Sequence, residues 1–164
     1  MPLPAPPHRV VTHLYNTARA SLARTSLPYT NSAVGISSIL LRHGLLSNIS
    51  RGTPTHPDPT EFPTLPKAAQ RLWVGHKYRA GSPVLRHMEL VSKASLRKLV
   101  SRDELGLLLR GKRARNINGV GTGEILVVKV PTDSKTARTG ADTYMEGWEA
   151  YRAGLGGEVI CRAA

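Results

Sequence analysis

The sequence predicts an α+β protein built from two small subdomains, a size that 164 residues allow. Apolar side chains recur at every fourth position from Val10 to Leu22, which is the spacing of one helical face. Between Arg71 and Tyr78 two sets of residues alternate, as along a half-buried strand. Glu124–Val130 is a short, mostly apolar run rich in β-branched residues, which favours a buried strand.

Residues 1–91 are predicted to form an α-β-α-β-β unit after a proline-rich arm. The expected elements are a helix from Val10, an extended piece at 26–30, a helix capped by Asn31 or Ser32 and ending near His43, strands at 45–50 and 71–78, a turn at 81–83 and an extended segment at 84–91. Gly44 stands where the glycine after a helix belongs. Five prolines lie in 52–66, a density that no helix or strand interior tolerates, so this segment is predicted to be an exposed insertion.

Residues 92–164 are predicted to form a mostly β unit with short helices. The expected elements are a strand at 96–100, a helix from Asp103 through Leu109 ended by Gly111, a strand at 124–130, an irregular stretch at 131–143, a helix at 144–153 ended by Gly154, and a closing strand at 158–162. The cluster Gly154, Gly156 and Gly157 costs chain entropy on folding. We therefore expect it to meet a local need for backbone freedom or for close backbone approach.

Composition excludes several classes of protein. The formal net charge of +12, from 23 Lys and Arg against 11 Asp and Glu, attracts polyanions, of which phosphate backbones are the commonest. The single cysteine, Cys161, excludes an internal disulfide and a cysteine-based metal site, and it is expected to be a small buried apolar residue. No run approaches the ~18 apolar residues of a membrane span.

The motifs of enzymes and cofactor sites are missing. There is no HExxH, CxxC or Gly-x-Ser-x-Gly pattern, and the six histidines are scattered. GVGTG at 119–123 precedes a strand, whereas the dinucleotide fingerprint follows one, so a tight turn is the better interpretation. We expect no catalytic residues, metal, cofactor or small-molecule substrate.

Basic residues near turns indicate a nucleic-acid partner for the second subdomain. Arg97 and Lys98 are one such pair, and 112–115 and 135–138 are further basic stretches. Lys and Arg beside hydroxyls and glycine N–H groups suit phosphate and ribose contacts. Aromatic residues make up only 5% of the chain, too few for a single-strand stacking surface, so a structured RNA is favoured.

Several segments resemble one known family. AGLGGEVIC at the C-terminus is similar to the ending of the small-subunit ribosomal protein uS8 family. SLRKLVSRDELGLLL, GTGEILVV and HLYNTARAS resemble further segments of that family in the same order. The resemblance extends over nearly the whole chain from Val10, and the last nine-residue motif is the most specific part of it.

The resemblance implies a non-enzymatic, two-subdomain protein that binds the central domain of small-subunit rRNA early in assembly, beside neighbouring ribosomal proteins. In the family, contacts come from the C-terminal glycine turn and a Ser-Thr-Ser-Lys-Gly loop, whose best match here is 132–135, with Asp133 in place of a threonine. The rRNA-binding residues expected here are Arg97, Lys98, Lys129, Thr132, Ser134, Lys135, Gly154, Gly156, Gly157 and Glu158.

The N-terminal part suggests an organelle. Before Asp58 the chain has arginines but neither acidic residues nor lysine, the composition of an import signal. We expect the small ribosomal subunit of the mitochondrial matrix, with a chloroplast ribosome as the alternative. A different class also stays open, namely a basic module that docks on proteins through its N-terminal arm and the insertion at 52–66.

Overall fold

The computed structural model describes residues 7–131 and 143–164, and it confirms an α+β fold. The chain divides into two compact units, Met1–His87 and Met88–Ala164. The units therefore part slightly before the predicted change at 91–92, because the short strand Met88–Leu90 pairs within the second sheet. The assignment of a separate function to each subdomain stays a prediction.

The first unit has the expected order of elements. They are α1 (Pro7–Arg19), β1 (Arg24–Pro28), α2 (Asn31–Arg42), β2 (Leu46–Gly52), a 3₁₀ turn (Phe62–Thr64), β3 (Arg71–His76), β4 (Tyr78–Arg79) and β5 (Ser82–Pro83). The sheet order is β1-β3-β2 with antiparallel pairing, and β4 and β5 form a separate hairpin. The turn predicted at 81–83 is thus part of this hairpin.

Two details of the first helices differ from expectation. Leu22 is 47% exposed because α1 ends at Arg19, so the apolar spacing outlasts the helix. The cap of α2 is Thr30, whose Oγ1 accepts the N–H of Ala33 at 3.1 Å, rather than Asn31 or Ser32. Gly44 follows α2 with φ +73°, as its position predicts.

The insertion at 52–66 is anchored, although its prolines are mostly exposed. Thr53 is buried, and its carbonyl accepts the indole N–H of Trp73 at 2.9 Å. Phe62 is buried against Tyr29, with ring centroids 4.8 Å apart. Arg51 lies over both rings. The expectation of an exposed segment is therefore correct for most of its residues and wrong for Gly52, Thr53 and Phe62, which are buried.

The insertion also brings together three side chains of the metal-ligating type. The ligand atoms of His56, Asp58 and Glu61 lie within 4.8 Å of one another at the surface. Asp58 Oδ1 already accepts the backbone N–H and the hydroxyl of Thr60, and these bonds lower the pKa of the Asp58 carboxyl. This cluster is accounted for by local turn stabilisation.

The second unit is a five-stranded antiparallel sheet with two helices on one face. Its elements are β6 (Met88–Leu90), β7 (Leu99–Val100), α3 (Arg102–Leu109), β8 (Ile125–Val130), β9 (Thr143–Glu146), α4 (Gly147–Arg152) and β10 (Gly157–Ala163). The order is β6-β10-β8-β9, and β7 also pairs with β10. Leu105 and Leu108 of α3 pack with Leu126, Val128 and Val159 of the sheet in the core.

Helix and strand bounds in this unit correct the sequence expectations. Residues 144–146 form a strand rather than the first turn of a helix, because α4 begins only after Glu146, whose carboxylate accepts the N–H groups of Trp148 and Glu149. Helix α3 begins at Arg102 rather than Asp103. Its N-cap is Ser101, which forms a capping box with Glu104 in the first turn. The extended segments expected at 84–91 and 96–100 contain only the short strands β6 and β7.

Cys161 is fully buried in β10, and burial raises the pKa of its thiol to about 12. It is therefore the small apolar residue that its surroundings in the sequence predict. Within 7–131 and 143–164, no helix has the length and apolar character needed to cross a membrane.

Acid should weaken the first unit through His76, which is buried. Its Nε2 lies 2.8 Å from Thr17 Oγ1, whose own proton goes to the His13 carbonyl, and burial lowers the pKa of His76 below 6.5. The unfolded imidazole binds a proton near pH 6.5 and the folded one does not. The free energy of unfolding should therefore fall below pH 6.5, by at most about 1.4 kcal/mol per pH unit.

Urea unfolding at pH 7.5 and 5.5 measures this effect, with Trp73 as the fluorophore in a Trp148→Phe background. The control variant is His76→Gln, which keeps an N–H donor but cannot titrate, and it should lose most of the difference between the two pH values. An equal difference in both proteins would contradict the assignment.

Candidate nucleic-acid interface

The C-terminal glycine turn starts as a helix-ending motif. Gly154 has φ +74°, its N–H donates to the Tyr151 carbonyl at 3.1 Å, and the N–H of Leu155 donates to the Ala150 carbonyl at 2.9 Å. This is the pair of hydrogen bonds of a Schellman motif, which satisfies the last carbonyls of α4. Gly154 thus ends the helix as its position predicts, and it is exposed.

Gly156 and Gly157 are needed for a different reason, the close approach of backbones. A Cβ added to Gly156 would lie 2.5 Å from the Val100 carbonyl oxygen. A Cβ added to Gly157 would lie 2.4 Å from the Lys129 carbonyl oxygen. Both contacts are with main chain, which cannot move aside cheaply. The two glycines therefore let β10 enter the sheet between β7 and β8.

This arrangement gathers four strand termini at one end of the second sheet, which we call the loop end. Gly157 pairs with Val100 of β7, and Val130 of β8 pairs with Thr143 of β9. Glu158 pairs with Lys129, so β8 and β10 lie side by side there. The predicted residues Thr132, Ser134 and Lys135 lie outside the described residues. The strand residues that flank their segment, Val130 and Thr143, both belong to the loop end.

Lys129, Gly157 and Glu158 are brought together at the loop end. Glu158 sits in register between Lys129 of β8 and Leu99 of β7, and it is half-buried. A cation, an anion and main chain thus occupy one short stretch of sheet. Among the predicted site residues that the structure describes, Lys129 and Glu158 pair across adjacent strands, and Gly157 precedes Glu158 in β10.

Lys98 is held close by, at the edge of β10. Its carbonyl accepts the N–H of Val159 at 3.0 Å, and its own N–H donates to Ser92 Oγ at 2.9 Å. The Lys98 ammonium donates to the carbonyl of Asn116 at 3.1 Å. The next residue back, Arg97, is exposed. It follows a tight turn closed by two backbone hydrogen bonds between Lys93 and Leu96, each of 3.0 Å.

A cleft of about 280 Å³ lies beside Lys98. Its polar lining residues are Glu89, Lys93, Lys98, Asn116, Asn118 and Arg162. Sequence reasoning singled out only Lys98 from this set. The others come from four separate segments, and nothing in their local spacing indicates that they meet. Lys93, Lys98 and two amides are groups suited to phosphate and ribose, beside one carboxylate, Glu89.

Arg162 is mainly structural in this cleft. It is 9% exposed, and its guanidinium donates to Glu124 Oε2 at 2.6 Å and to the Gly119 carbonyl at 2.9 Å. The Glu124 carboxylate also accepts the N–H of Gly121 at 2.7 Å. These bonds close the GVGTG segment into a turn, which confirms that its glycines belong to a tight turn. They also give the Arg162–Glu124 ion pair a structural role.

Comparison with known proteins supplies the family. A protein named small ribosomal subunit protein uS8m from Schizosaccharomyces pombe is 34% identical over 157 residues, which cover 94% of this chain and 97% of that protein. The uS8m of Neurospora crassa is 35% identical over 159 residues, 92% of each. A bacterial uS8 from Burkholderia multivorans is 26% identical over 155 residues, 94% of this chain and 93% of that protein. No family model matches the chain.

Fold, charge and relatives together define the class, a structural protein of the ribosome without enzymatic activity. The chain belongs to the uS8 family in its mitochondrial form, uS8m. The resemblance noted in the sequence is thereby confirmed. The mitochondrion, rather than the chloroplast, is its location.

Alanine at the three glycines should separate their roles. Gly156→Ala and Gly157→Ala force a Cβ into a backbone carbonyl and should each cost about 3 kcal/mol or more of folding free energy. Gly154→Ala meets nothing within 4 Å, so it should cost only the left-handed backbone strain, about 1–2 kcal/mol.

Urea unfolding of the full chain, followed by Trp148 fluorescence in a Trp73→Phe background, gives the three values. Equal losses at all three positions would mean that close backbone approach does not explain Gly156 and Gly157.

Proposed function

We propose that this chain binds the central domain of mitochondrial small-subunit rRNA and supports assembly of that subunit. The observation that carries the proposal is one stretch of β10 in the second unit, where Gly157–Glu158 pair with Lys129 at the loop end and Val159 is hydrogen-bonded to Lys98 beside it. The uS8m names of the relatives point to the same particle. Neighbouring small-subunit proteins are further partners in this proposal.

The chemistry of the loop end suits a folded RNA. Exposed Arg97 and the cations of the adjacent cleft, Lys93 and Lys98, supply charge for phosphates. The amide side chains of Asn116 and Asn118 can exchange hydrogen bonds with ribose hydroxyls. Because these groups sit on short turns tied to β10, their positions are set before binding. Thr132, Ser134 and Lys135, which lie outside the described residues, stay predicted RNA-binding residues in this proposal.

The glycine turn has a supporting part in this proposal. Gly154 is exposed and Gly156 is half-buried, so main chain is accessible there to a sugar-phosphate backbone. Gly157 is buried, and its part is to let β10 lie close to Lys129 of β8. Glu158 is an anion and would repel RNA by itself. Lys129 lies directly opposite it in the sheet, so a cation stands next to the Glu158 carboxylate.

The competing role, protein docking through 52–66, is less well supported. That segment is tied to its own unit through Thr53 and Phe62, and with Asp58, Glu61 and neither Lys nor Arg it is acidic, unlike the rest of this basic chain. Its prolines are mostly exposed. We therefore assign the insertion a secondary place among the contacts of the protein.

Removing charge at Arg97 should weaken rRNA binding and flatten its dependence on salt. Each lost phosphate contact lowers the slope of log affinity against log salt by about 0.9 on a duplex. Arg97→Gln, and Lys93→Gln in addition, should therefore reduce the slope stepwise. The measurement is binding of the full chain to a mitochondrial small-subunit rRNA fragment over a series of salt concentrations.

Arg79→Gln is the matched control, because Arg79 is exposed on β4 of the first unit and the change in charge is the same. It should leave the slope nearly unchanged. An equal effect of Arg79→Gln and Arg97→Gln would show attraction by net charge alone and would remove the loop end as the site.

A further inference from the structure

The outer face of α3 and α4 carries an exposed tryptophan ring and two exposed arginines around a half-buried tyrosine. We define the aromatic–arginine surface as Trp148, Tyr151, Arg102 and Arg110. Trp148 lies in the first turn of the six-residue helix α4 and is 40% exposed. Its ring meets that of Tyr151 edge to face, with centroids 6.0 Å apart and planes at 84°. An exposed indole offers a flat apolar face to a partner.

Two guanidinium groups surround the neighbouring ring. The Cζ atoms of Arg102 and Arg110 lie 5.2 and 5.9 Å from the Tyr151 ring centre. The Arg110 guanidinium also donates to the Tyr151 hydroxyl at 3.2 Å. Gly106 packs so closely on this ring that an added Cβ would lie 2.7 Å from Tyr151 Cε2. Tyr151 is thus held in place, and it holds both exposed arginines beside Trp148.

The nearby carboxylates do not cancel this charge. Glu104 pairs with Arg115 at 2.7 Å and accepts the N–H of Ser101 at 2.8 Å. Glu149 Oε2 lies 3.5 Å from the N–H of Glu146, in the capping box of α4. Asp103 occupies the first turn of α3, where a carboxylate complements the helix dipole. Among the described residues, Arg102 and Arg110 contact the Tyr151 ring rather than a carboxylate, and both are exposed.

We infer that the aromatic–arginine surface binds one unpaired nucleotide of an RNA, with the base stacked on Trp148 and the flanking phosphates on Arg102 and Arg110. This inference rests on the proposed RNA-binding function and adds a second contact surface to it, on the helices rather than at the loop end. A ring next to fixed cations matches a base next to its phosphates, since any base offers a π-face. One such ring within a structured RNA is consistent with the low aromatic content.

Fluorescence of Trp148 tests this contact directly. Trp73→Phe leaves Trp148 as the only tryptophan of the chain. Adding mitochondrial small-subunit rRNA to this full-length variant should quench the emission, because stacking on a base quenches an indole. Trp148→Ala should weaken rRNA binding by about 5- to 100-fold without changing the salt slope, since stacking releases no counterions. Trp148→Phe should restore much of the affinity.

Leu107→Ala is the control, because Leu107 of α3 is 39% exposed and apolar but has no π-face. It should bind rRNA as the parent does. If rRNA does not quench Trp148 and the Trp148→Ala variant binds rRNA as tightly as the parent, the inference is overturned. A weaker binding of Arg97→Gln in the same experiment would leave the proposed function standing. Normal rRNA binding by Trp148→Ala, combined with loss from the assembled subunit, would mark a protein contact and would also overturn it. Failure of the parent to bind rRNA would sink the proposed function as well.

Discussion

The structure of the second unit depends on the close passage of β10 between two neighbouring backbones. Gly156 and Gly157 lie so near the carbonyls of Val100 and Lys129 that no side chain fits. That passage puts Lys129 and Glu158 in register and draws Lys98 to the edge of β10, through its carbonyl and the N–H of Val159. The cationic loop end is therefore a consequence of steric fit inside the protein. The glycines thus build the surface that carries the charge.

Side-chain hydrogen bonds and one ion pair hold the rest of this surface in place. The Arg162–Glu124 pair and the Gly119 carbonyl tie the 119–124 turn to β10, and Lys98 ties the 116 turn to the same strand. Turns that belong to distant parts of the chain thus share one support. Such preorganisation lowers the ordering cost when a rigid RNA binds. The aromatic–arginine surface follows the same logic, with Tyr151 fixing two guanidinium groups.

Local pattern in the sequence predicts what depends on nearest neighbours. The order of elements, Gly44 and Gly154 after their helices, the turn at 119–123 and burial of Cys161 were all predictable, because capping and periodicity are local. The strand at Thr143–Glu146 was not, since pairing with β8 overrides the helical character of the segment. Likewise, the cleft unites Lys93, Asn116 and Arg162 only through tertiary packing. The exposure of Trp148 depends on which face α4 turns to the core, which its six residues do not define.

Site-directed cleavage of rRNA measures the central claim most directly. An iron chelate attached at Ala94→Cys, in the exposed turn between Lys93 and Leu96, generates radicals beside the cleft and Arg97, next to the loop end on the same strand β10, while buried Cys161 stays unlabelled. Ser82→Cys, exposed in the hairpin of the first unit, is the comparison position. We expect strong cleavage of mitochondrial small-subunit rRNA from position 94 and much weaker cleavage from position 82. Strong cleavage from position 82 with none from position 94 would contradict an RNA interface at the loop end.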